Sequence, residues 1–484
     1  MVLLWPLFIP LLGSVVLLLG FRELRLANRV ALAFCAAEAA AIGILVWRVH
    51  KWGALEGQYL RADGLTCFFL VNIAFIMVLS LIYATGYLQH MGEGRFTSPR
   101  WFYALVNLFL FTMVGVCLSA NLGVLWIMME ATTLASGLLV GFYNTEGAVE
   151  AGWKYLVVCT VGIAFALFGT IVFYLAAVKA GMSHTSALDW SALLAAVSQK
   201  QFDPNLVRLA FVFILVGYGT KVGFVPMHSW LPDAHAEAPT PISAMLSAIL
   251  LNCAMYALLR YKILVSRAIG TEFPGALLVF FGLVSIVVAG LLILVQRDLK
   301  RMLAYSSVEH MGIIAIGMGL GGALGFLGAL LHTFNHSVAK SLLFFGAGNV
   351  RHNFGTLRMD RITGMGRSAP LTTAALAVGA LAIVGMPPFS LFVSEFAILS
   401  ESFSQSRYVV GGVFLAVLSI VFGGFAYHLF RMTCGEPQQV LPKPQFTRTE
   451  YAVMFIAGIL LLYFGIHIPK AFSVLLHEAV KVLQ

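Results

Sequence analysis

Three ionisable residues lie within long apolar stretches of the sequence: Glu130, Lys221 and Glu395. The stretch before Glu130 has no charge from Trp101 onwards, and Glu395 is the single charged residue between positions 371 and 400. A charge deep in a bilayer costs about 2.5 to 3.5 kcal/mol on insertion scales, so such a residue faces a protein interior or a water cavity and commonly belongs to an ion path. Proton transfer is therefore the chemistry that these residues predict.

More titratable residues occur between Lys221 and Glu395 in the sequence. His332, His336 and Lys340 follow one another at intervals of four, which places them on one face of a helix, and His310 ends a polar run that starts at Gln296. Histidine titrates near neutral pH and can pass a proton between its two nitrogens, so this set is suited to a relay. A single buried histidine is as often a hydrogen-bonded core residue; the set favours the relay.

Metal binding and redox chemistry are disfavoured by the same residues. His332 and His336 have the spacing of a zinc pair, but Thr333 stands where a zincin has its glutamate. The six cysteines are scattered, without a C-x-x-C pair, whereas iron–sulfur and [NiFe] centres need closely spaced thiolates. We therefore expect no metal site, no cofactor and no redox centre in this chain.

Composition sets the protein class. Apolar residues make up 60% of the chain and charged residues 11%, with a mean hydropathy of +0.92, and apolar stretches of about twenty residues recur throughout. These stretches are too long for the alternating strands of a barrel, so helices are the spanning element. The net charge of +9 is explained by basic loops that orient the chain and meet anionic lipid, which excludes nucleic acid as a partner.

We predict an all-α polytopic membrane protein with fourteen transmembrane helices. The predicted spans cover residues 2–20, 28–47, 64–88, 101–118, 120–142, 152–178, 205–230, 239–261, 274–295, 301–319, 322–349, 370–400, 408–432 and 450–470. By the positive-inside rule the loops around Arg22, Arg297 to Arg301 and Arg351 to Arg367 are cytoplasmic and both termini lie outside.

Two predicted spans contain helix breakers beside their ionisable residue. In span 7, Gly223 and Pro226 follow Lys221, and in span 12 Gly385 and Pro387 precede Glu395. Interrupted helices expose backbone groups that can order water, and breaks at corresponding positions of two halves indicate an inverted repeat. The alternative is a pair of packing kinks without a transport role.

The predicted repeats contain five helices each. We divide the chain into an N-terminal three-helix segment (1–100), a first repeat (101–262), a second repeat (263–435) and a C-terminal helix and tail (436–484). A polar cluster follows span 7 and is interpreted as a membrane-surface loop, either a point of proton uptake or simply solvated; it contains His228, Asp233, His235 and Glu237.

Three long motifs resemble a known family. They run from Thr220 to Pro239 (TKVGFVPMHSWLPDAHAEAP), from Leu299 to Ser307 (LKRMLAYSS) and from His332 to Phe345 (HTFNHSVAKSLLFF). They are similar to the antiporter-like subunits of respiratory complex I, Mrp-type sodium/proton antiporters and membrane-bound group 4 [NiFe]-hydrogenases. The run from Met129 to Ser136 (MEATTLAS), with Glu150 to Tyr155, most resembles the F-type subunit of hydrogenase-4.

The resemblance implies roles for particular residues. It pairs Glu130 with Lys221, runs a central relay through His310, His332, His336 and Lys340, and makes Glu395 the site of span 12. Several family members have a titratable lysine where this chain has Asn252 in span 8, so the bridge between the two half-paths is altered here. Glu38, in span 2, has no assigned role.

The function that we expect is proton translocation by a non-redox subunit of an energy-converting [NiFe]-hydrogenase-type complex in the cytoplasmic (inner) membrane. Its partners would be other membrane subunits and hydrophilic [NiFe] and iron–sulfur subunits. The alternatives are a subunit of an Mrp-like antiporter, with Na⁺ as a second ion, a subunit of complex I, or a passive scaffold that has lost transport.

Overall fold

Long apolar helices form nearly the whole of the computed structural model, which describes residues 1–20, 23–90, 98–436 and 447–484. The first half contains α1 (Trp5–Gly20), α2 (Leu24–Trp52), α3 (Gly64–Tyr87), α4 (Pro99–Leu118), α5 (Leu122–Val140), α6 (Glu146–Lys179), α7 (Trp190–Val197), α8 (Pro204–Val222), α9 (Trp230–Glu237), α10 (Thr240–Met245) and α11 (Leu251–Ile269). A π-helical segment, Leu246–Leu250, joins α10 to α11. A two-stranded antiparallel hairpin, β1 (Leu55–Glu56) and β2 (Arg61–Ala62), precedes α3.

The second half continues the same architecture. It contains α12 (Glu272–Val295), α13 (Leu299–Leu320), α14 (Gly322–Phe354), α15 (Met365–Ser368), α16 (Pro370–Ile383), α17 (Ser390–Ser404), α18 (Tyr408–Thr433), α19 (Arg448–Ile466) and α20 (Lys470–Leu483). Short 3₁₀ segments cover Leu88–His90 and Met359–Arg361.

Eleven of the fourteen predicted spans correspond to helices that are long and apolar enough to cross a membrane. The other three differ for separate reasons. The helix α1 has 16 residues, α14 is long but carries a row of buried polar side chains, and the twelfth span is divided into α16 and α17. The all-α, polytopic fold class is confirmed, with eleven candidate spans in the described residues.

Glycines let α12 and α13 pack backbone against backbone. A Cβ atom added to Gly275 would lie 2.6 Å from the carbonyl oxygen of Gly319, and one added to Gly312 would lie 2.8 Å from that of Gly282. No larger residue fits there without a shift. Small residues on facing helices are a usual source of close packing in membranes, where apolar burial against lipid gains little. The glycines therefore position α13, which carries candidate functional residues.

The predicted C-terminal tail is a helix. One face of α20 buries Leu475, Leu476 and Ala479, and the helix packs mainly against α3. Its Glu478 Oε1 lies 2.6 Å from His50 Nδ1 of α2. This amphipathic helix covers one end of the bundle.

Two of the three loops predicted to be cytoplasmic lie side by side. The Leu299 amide donates to the Leu357 carbonyl at 2.9 Å, and the Met359 amide donates to that of Arg297 at 2.8 Å. The two basic segments therefore share one end of the bundle, as the prediction requires. Arg22, in the third loop, lies outside the described residues.

Glu38 lies inside the bundle. It is 2% exposed, and neither carboxylate oxygen has a hydrogen-bond partner in the described part of the chain. The helix that carries it, α2, packs against α1, α3 and α4.

Candidate functional site

Lys221 lies in the last turn of α8, just before the predicted break. The helix ends at Val222 because Gly223 adopts a φ of 88°, a left-handed conformation that favours glycine. The Trp230 indole N–H then donates to the carbonyl oxygen of Thr220 at 2.9 Å, which satisfies one backbone group at the break. Lys221 itself is fully buried.

Two hydroxyl groups hold the Lys221 ammonium. Its Nζ donates to Thr133 Oγ1 at 2.5 Å and to the Tyr155 hydroxyl at 3.1 Å. The Thr133 hydroxyl also lies 3.4 Å from Glu130 Oε2, and the Thr160 hydroxyl donates to Glu130 Oε1 at 2.8 Å. Glu130 and Lys221 are therefore joined through Thr133. We call Glu130, Thr133, Tyr155 and Lys221 the first cluster.

Glu130 is less enclosed than the sequence suggested. It is partly exposed and lies on the outer face of α5, where Ile127 is 55% and Leu134 58% exposed. The expectation that it faces the interior is only partly right, because α5 lies at the periphery of the bundle. Its carboxylate is accessible to any molecule that packs against α5.

Glu395 lies against the second break. The helix α16 ends at Ile383 and α17 begins at Ser390. Between them Gly385 has a φ of 67°, which favours glycine, and a Cβ atom there would lie 1.8 Å from Glu395 Oε2, so a larger residue would also displace the carboxylate. Glu395 is 4% exposed, and its Oε1 has no hydrogen-bond partner among the described residues.

A line of hydrogen bonds runs from α13 through α14 to Ser394 in α17, beside Glu395. His310 Nδ1 and His332 Nε2 are 2.9 Å apart, and His332 Nδ1 is 2.9 Å from the hydroxyl of Ser394, the neighbour of Glu395. At the other end of the line, His310 Nε2 lies 3.6 Å from Glu309 Oε2. Each histidine can release a proton from one nitrogen as the other takes one up, so the line has the chemistry of a relay.

The other two predicted relay residues flank this line. The ring of His336 lies 5.2 Å from that of His310, and neither of its nitrogens has a partner in the described structure. Lys340 Nζ donates to the carbonyl oxygen of Leu303 at 2.7 Å. Both residues are fully buried. We call Glu309, His310, His332, His336, Lys340 and Glu395 the second cluster.

Neutral polar side chains connect the helices around the second cluster. The hydroxyls of Ser247 and Ser307 are 2.7 Å apart, and Asn252 donates to Ser337 Oγ at 3.0 Å. Ser247 belongs to the π-helical segment, a type of distortion that is frequent at functional sites. We call these four residues the neutral seam. Asn252 cannot titrate, but it links α11 to α14 beside His336.

Three members of the second cluster have the composition of a metal site. Ligand atoms of His310, His332 and Glu395 lie within 4.8 Å of one another. Both nitrogens of His332 already have hydrogen-bond partners, however, so an ion would have to displace one of these bonds. The arrangement needs no metal to satisfy His332, and we assign none.

One prediction about the polar cluster after span 7 is wrong. His235 does not lie in a surface loop but is fully buried in α9, where its ring stacks on Phe344 at 5.3 Å. Asp233 does lie near the surface and accepts from Arg301 Nη2 at 2.7 Å. The two residues differ because α9 folds back into the bundle after the break, with one face inward.

Several residues of both clusters were not singled out from the sequence. Glu309 is buried beside His310. Its place in the polar run of α13 could have identified it from the sequence. Thr133, Tyr155 and Ser394 gave no such signal, because hydroxyl groups are common on transmembrane helices. The fold alone places them within hydrogen-bond distance of Lys221 and His332.

Comparison with known proteins shows the family to which the chain is similar. Residues 119–423 match the family described as NADH:quinone oxidoreductase/Mrp antiporter, TM. A hydrogenase-4 component F homolog of Methylacidiphilum infernorum is 39% identical over 416 residues, covering 85% of this chain and 86% of that protein. The NADH-quinone oxidoreductase subunit N of Desulforudis audaxviator is 33% identical over 404 residues, covering 82% and 77%.

The fold has solved counterparts. A chain in the structure of the Mrp complex from Dietzia sp. superimposes with a TM-score of 0.87 at 19% identity, over 100% of this chain and 96% of that one. The family match covers more than half of the chain and contains all seven predicted site residues, from Glu130 in α5 to Glu395 in α17. This multi-pass membrane protein belongs to the NADH:quinone oxidoreductase/Mrp antiporter transmembrane family.

Proposed function

We propose that this chain translocates protons as a non-redox membrane subunit of an energy-converting complex of the [NiFe]-hydrogenase type. The observation that carries the proposal is the hydrogen-bonded line from His310 through His332 to Ser394, beside Glu395. Its members titrate or carry a transferable proton, and it is buried. Protons can pass along such a line when each group alternates between donor and acceptor.

The first cluster would control the supply of protons to that line. A carboxylate and a lysine this close act on each other's charge. Thr133 joins Lys221 to Glu130, so a change of charge at Glu130 would alter the proton affinity of Lys221. The two residues would then act as a coupled pair rather than as independent sites.

A partner chain against α5 and α6 would supply the driving force. A charged Glu130 facing lipid would be unfavourable, which favours a protein or water-filled cover over this face. Several exposed side chains of α6 on this face are apolar: Trp153 (64%), Val157 (56%) and Val161 (54%). Electron transfer in other subunits would reach Glu130 as an electrostatic or conformational change across this interface.

The choice among parent complexes rests on similarity. The relative named hydrogenase-4 component F homolog supports a hydrogenase, and the hydrophilic [NiFe] and iron–sulfur subunits would then be partners in the inner membrane. The alternatives are a complex I type enzyme and an Mrp-like antiporter, which also moves Na⁺. The division into two inverted five-helix repeats, residues 101–262 and 263–435, belongs to the same proposal.

Purification from the native membrane in mild detergent tests the assignment. Co-purifying subunits are identified by mass spectrometry, and nickel, iron and flavin are assayed. Nickel with small iron–sulfur subunits is the expected result. Flavin with many iron–sulfur clusters would assign the chain to a complex I type enzyme instead. Membrane chains alone, with transport that needs sodium and no electron donor, would assign it to an antiporter.

A further inference from the structure

A cavity of about 630 Å³ opens at one end of the bundle, away from the path described above. It lies where α11, α13 and α17 end and where α12, α14 and α18 begin, and the last residues of α20 also line it. Its described lining contains no residue of either cluster. The cavity therefore needs an explanation of its own.

Basic side chains dominate the charge of this cavity. Lys262, Arg267 and Arg407 line it, against the single acidic side chain of Glu272. The two arginines are exposed at the rim, whereas Lys262 is 4% exposed. The side-chain charge of the cavity is thus positive, and its cations converge from α11 and from the loop before α18.

Lys262 lacks an anion. Its Nζ lies 4.5 Å from the centre of the Phe326 ring, and it makes neither a hydrogen bond nor an ion pair with any residue that the structure describes. A cation–π contact offsets part of the cost of burying an ammonium, but an anionic partner offsets more. Nearby, Ser266 Oγ is buried without a hydrogen-bond partner in the same part of the structure. Both groups line the cavity.

The other wall of the cavity is apolar and continues onto the outer face of α12. Val279, Phe280 and Leu283 line it, and Phe280 is 59% exposed. Further along the same helix Leu291 is 53% exposed, which is typical of a lipid-facing surface. A ligand in this cavity therefore meets cations at one end and the hydrocarbon of the bilayer at the other.

We propose that the cavity binds one anionic phospholipid. Its phosphate would accept hydrogen bonds from Lys262 and from the two rim arginines, and its acyl chains would lie along Phe280 and Leu283. A soluble anion would leave the apolar wall uncovered, and a zwitterionic headgroup would bring a further cation beside three existing ones. Basic pockets between transmembrane helices on the cytoplasmic side bind anionic headgroups. This cavity lies at the end opposite to the loops predicted to be cytoplasmic, so the lipid would belong to the outer leaflet.

The test measures lipid retained by the purified complex. The complex is purified as wild type and as the variants Lys262→Gln and Lys179→Gln, and each preparation is washed in detergent. Each then receives phosphatidylglycerol, phosphatidylcholine or inorganic phosphate. Native mass spectrometry measures binding, and thermal unfolding measures stabilisation. Lys179 is the matched control, an exposed lysine at the end of α6 outside the cavity. Phosphatidylglycerol should bind wild type and Lys179→Gln equally and Lys262→Gln about fivefold more weakly, since a basic residue contributes about that factor to anionic-lipid affinity.

Three results would overturn the proposal: equal retention by all variants, equal retention of phosphatidylcholine, or stabilisation by inorganic phosphate that matches that of the lipid. The last result would indicate a site for a free anion. If Lys262→Gln does not assemble, the double variant Arg267→Gln, Arg407→Gln tests the same site with exposed positions alone. It should also bind phosphatidylglycerol at least fivefold more weakly than Lys179→Gln.

Discussion

Charged side chains are buried in two regions of this protein, and their surroundings differ. Between α3 and α11, Arg260 donates to both carboxylate oxygens of Asp63, at 2.8 and 2.7 Å, and Asp63 also accepts from the Thr66 amide at 3.0 Å. In the second cluster, Glu395 Oε1 and both nitrogens of His336 have no partner in the described residues. The first region satisfies its charges, and the second leaves positions at which a proton can bind.

This difference separates stability from transport. A bidentate pair with additional hydrogen bonds has no free position for a proton, so it fixes the geometry of two helices. Titratable groups with missing partners are costly to bury and persist where function requires them. Variants in the two regions should therefore have opposite signatures: lost stability in one, and lost transport with an intact fold in the other.

The largest effect on stability is expected for Arg260→Ala. Removal of the arginine leaves the buried Asp63 with only the longer 3.4 Å ion pair to Arg61 and also removes stacking on Trp190. The complex should therefore lose about 3 kcal/mol of stability, the lower end of the cost of breaking a buried ion pair. Thermal unfolding in detergent measures the change, with the exposed Arg208→Ala as control. Unfolding at the wild-type temperature would show that this pair does not hold the helices.

Glu395→Gln tests the other region. The amide keeps the size of the side chain but cannot bind and release a proton, so proton translocation should fall at least a hundredfold. Assembly and the unfolding temperature should remain as in the wild type. Proton uptake into vesicles, measured with a pH-sensitive dye during electron transfer, gives the readout, and pumping at the normal rate would remove Glu395 from the path.

His332→Asn interrupts the line inside the second cluster. Asparagine can still hydrogen-bond to Ser394 but cannot exchange a proton between two nitrogens, so we expect transport to fall roughly tenfold to a hundredfold. The matched control is His428→Asn, a buried histidine of α18 outside the cluster. Similar losses in both variants would indicate a general packing defect.

Thr133→Val should have the smallest effect. It removes the hydroxyl between Glu130 and Lys221 but leaves both ionisable groups, so coupling should weaken by about tenfold, the value of one hydrogen bond to a charged group. The readout is the number of protons moved per electron. The control is Thr160→Val, because the Thr160 hydroxyl contacts Glu130 but not Lys221. Coupling should weaken less in this variant than in Thr133→Val, and a larger loss would contradict the role given to Thr133.

The sequence predicted the parts of this account that depend on burial and spacing. Charges inside apolar stretches identified Glu130, Lys221 and Glu395, and glycines with prolines identified the ends of α8 and α16. The sequence could not show that Glu130 faces outward or that His235 faces inward, because both depend on how helices pack. The hydroxyls of Thr133, Tyr155 and Ser394 have little sequence signal; only the fold aligns them with lysine and histidine.

The most direct test of the central claim is the ratio of protons to electrons in vesicles that contain the complex with Lys221→Ala. Lys221 is buried and held by two hydroxyls, and it is the basic member of the first cluster. We predict that this variant assembles and transfers electrons normally but moves no protons. Glu130→Ala should give the same result. An unchanged ratio in both variants would contradict the account.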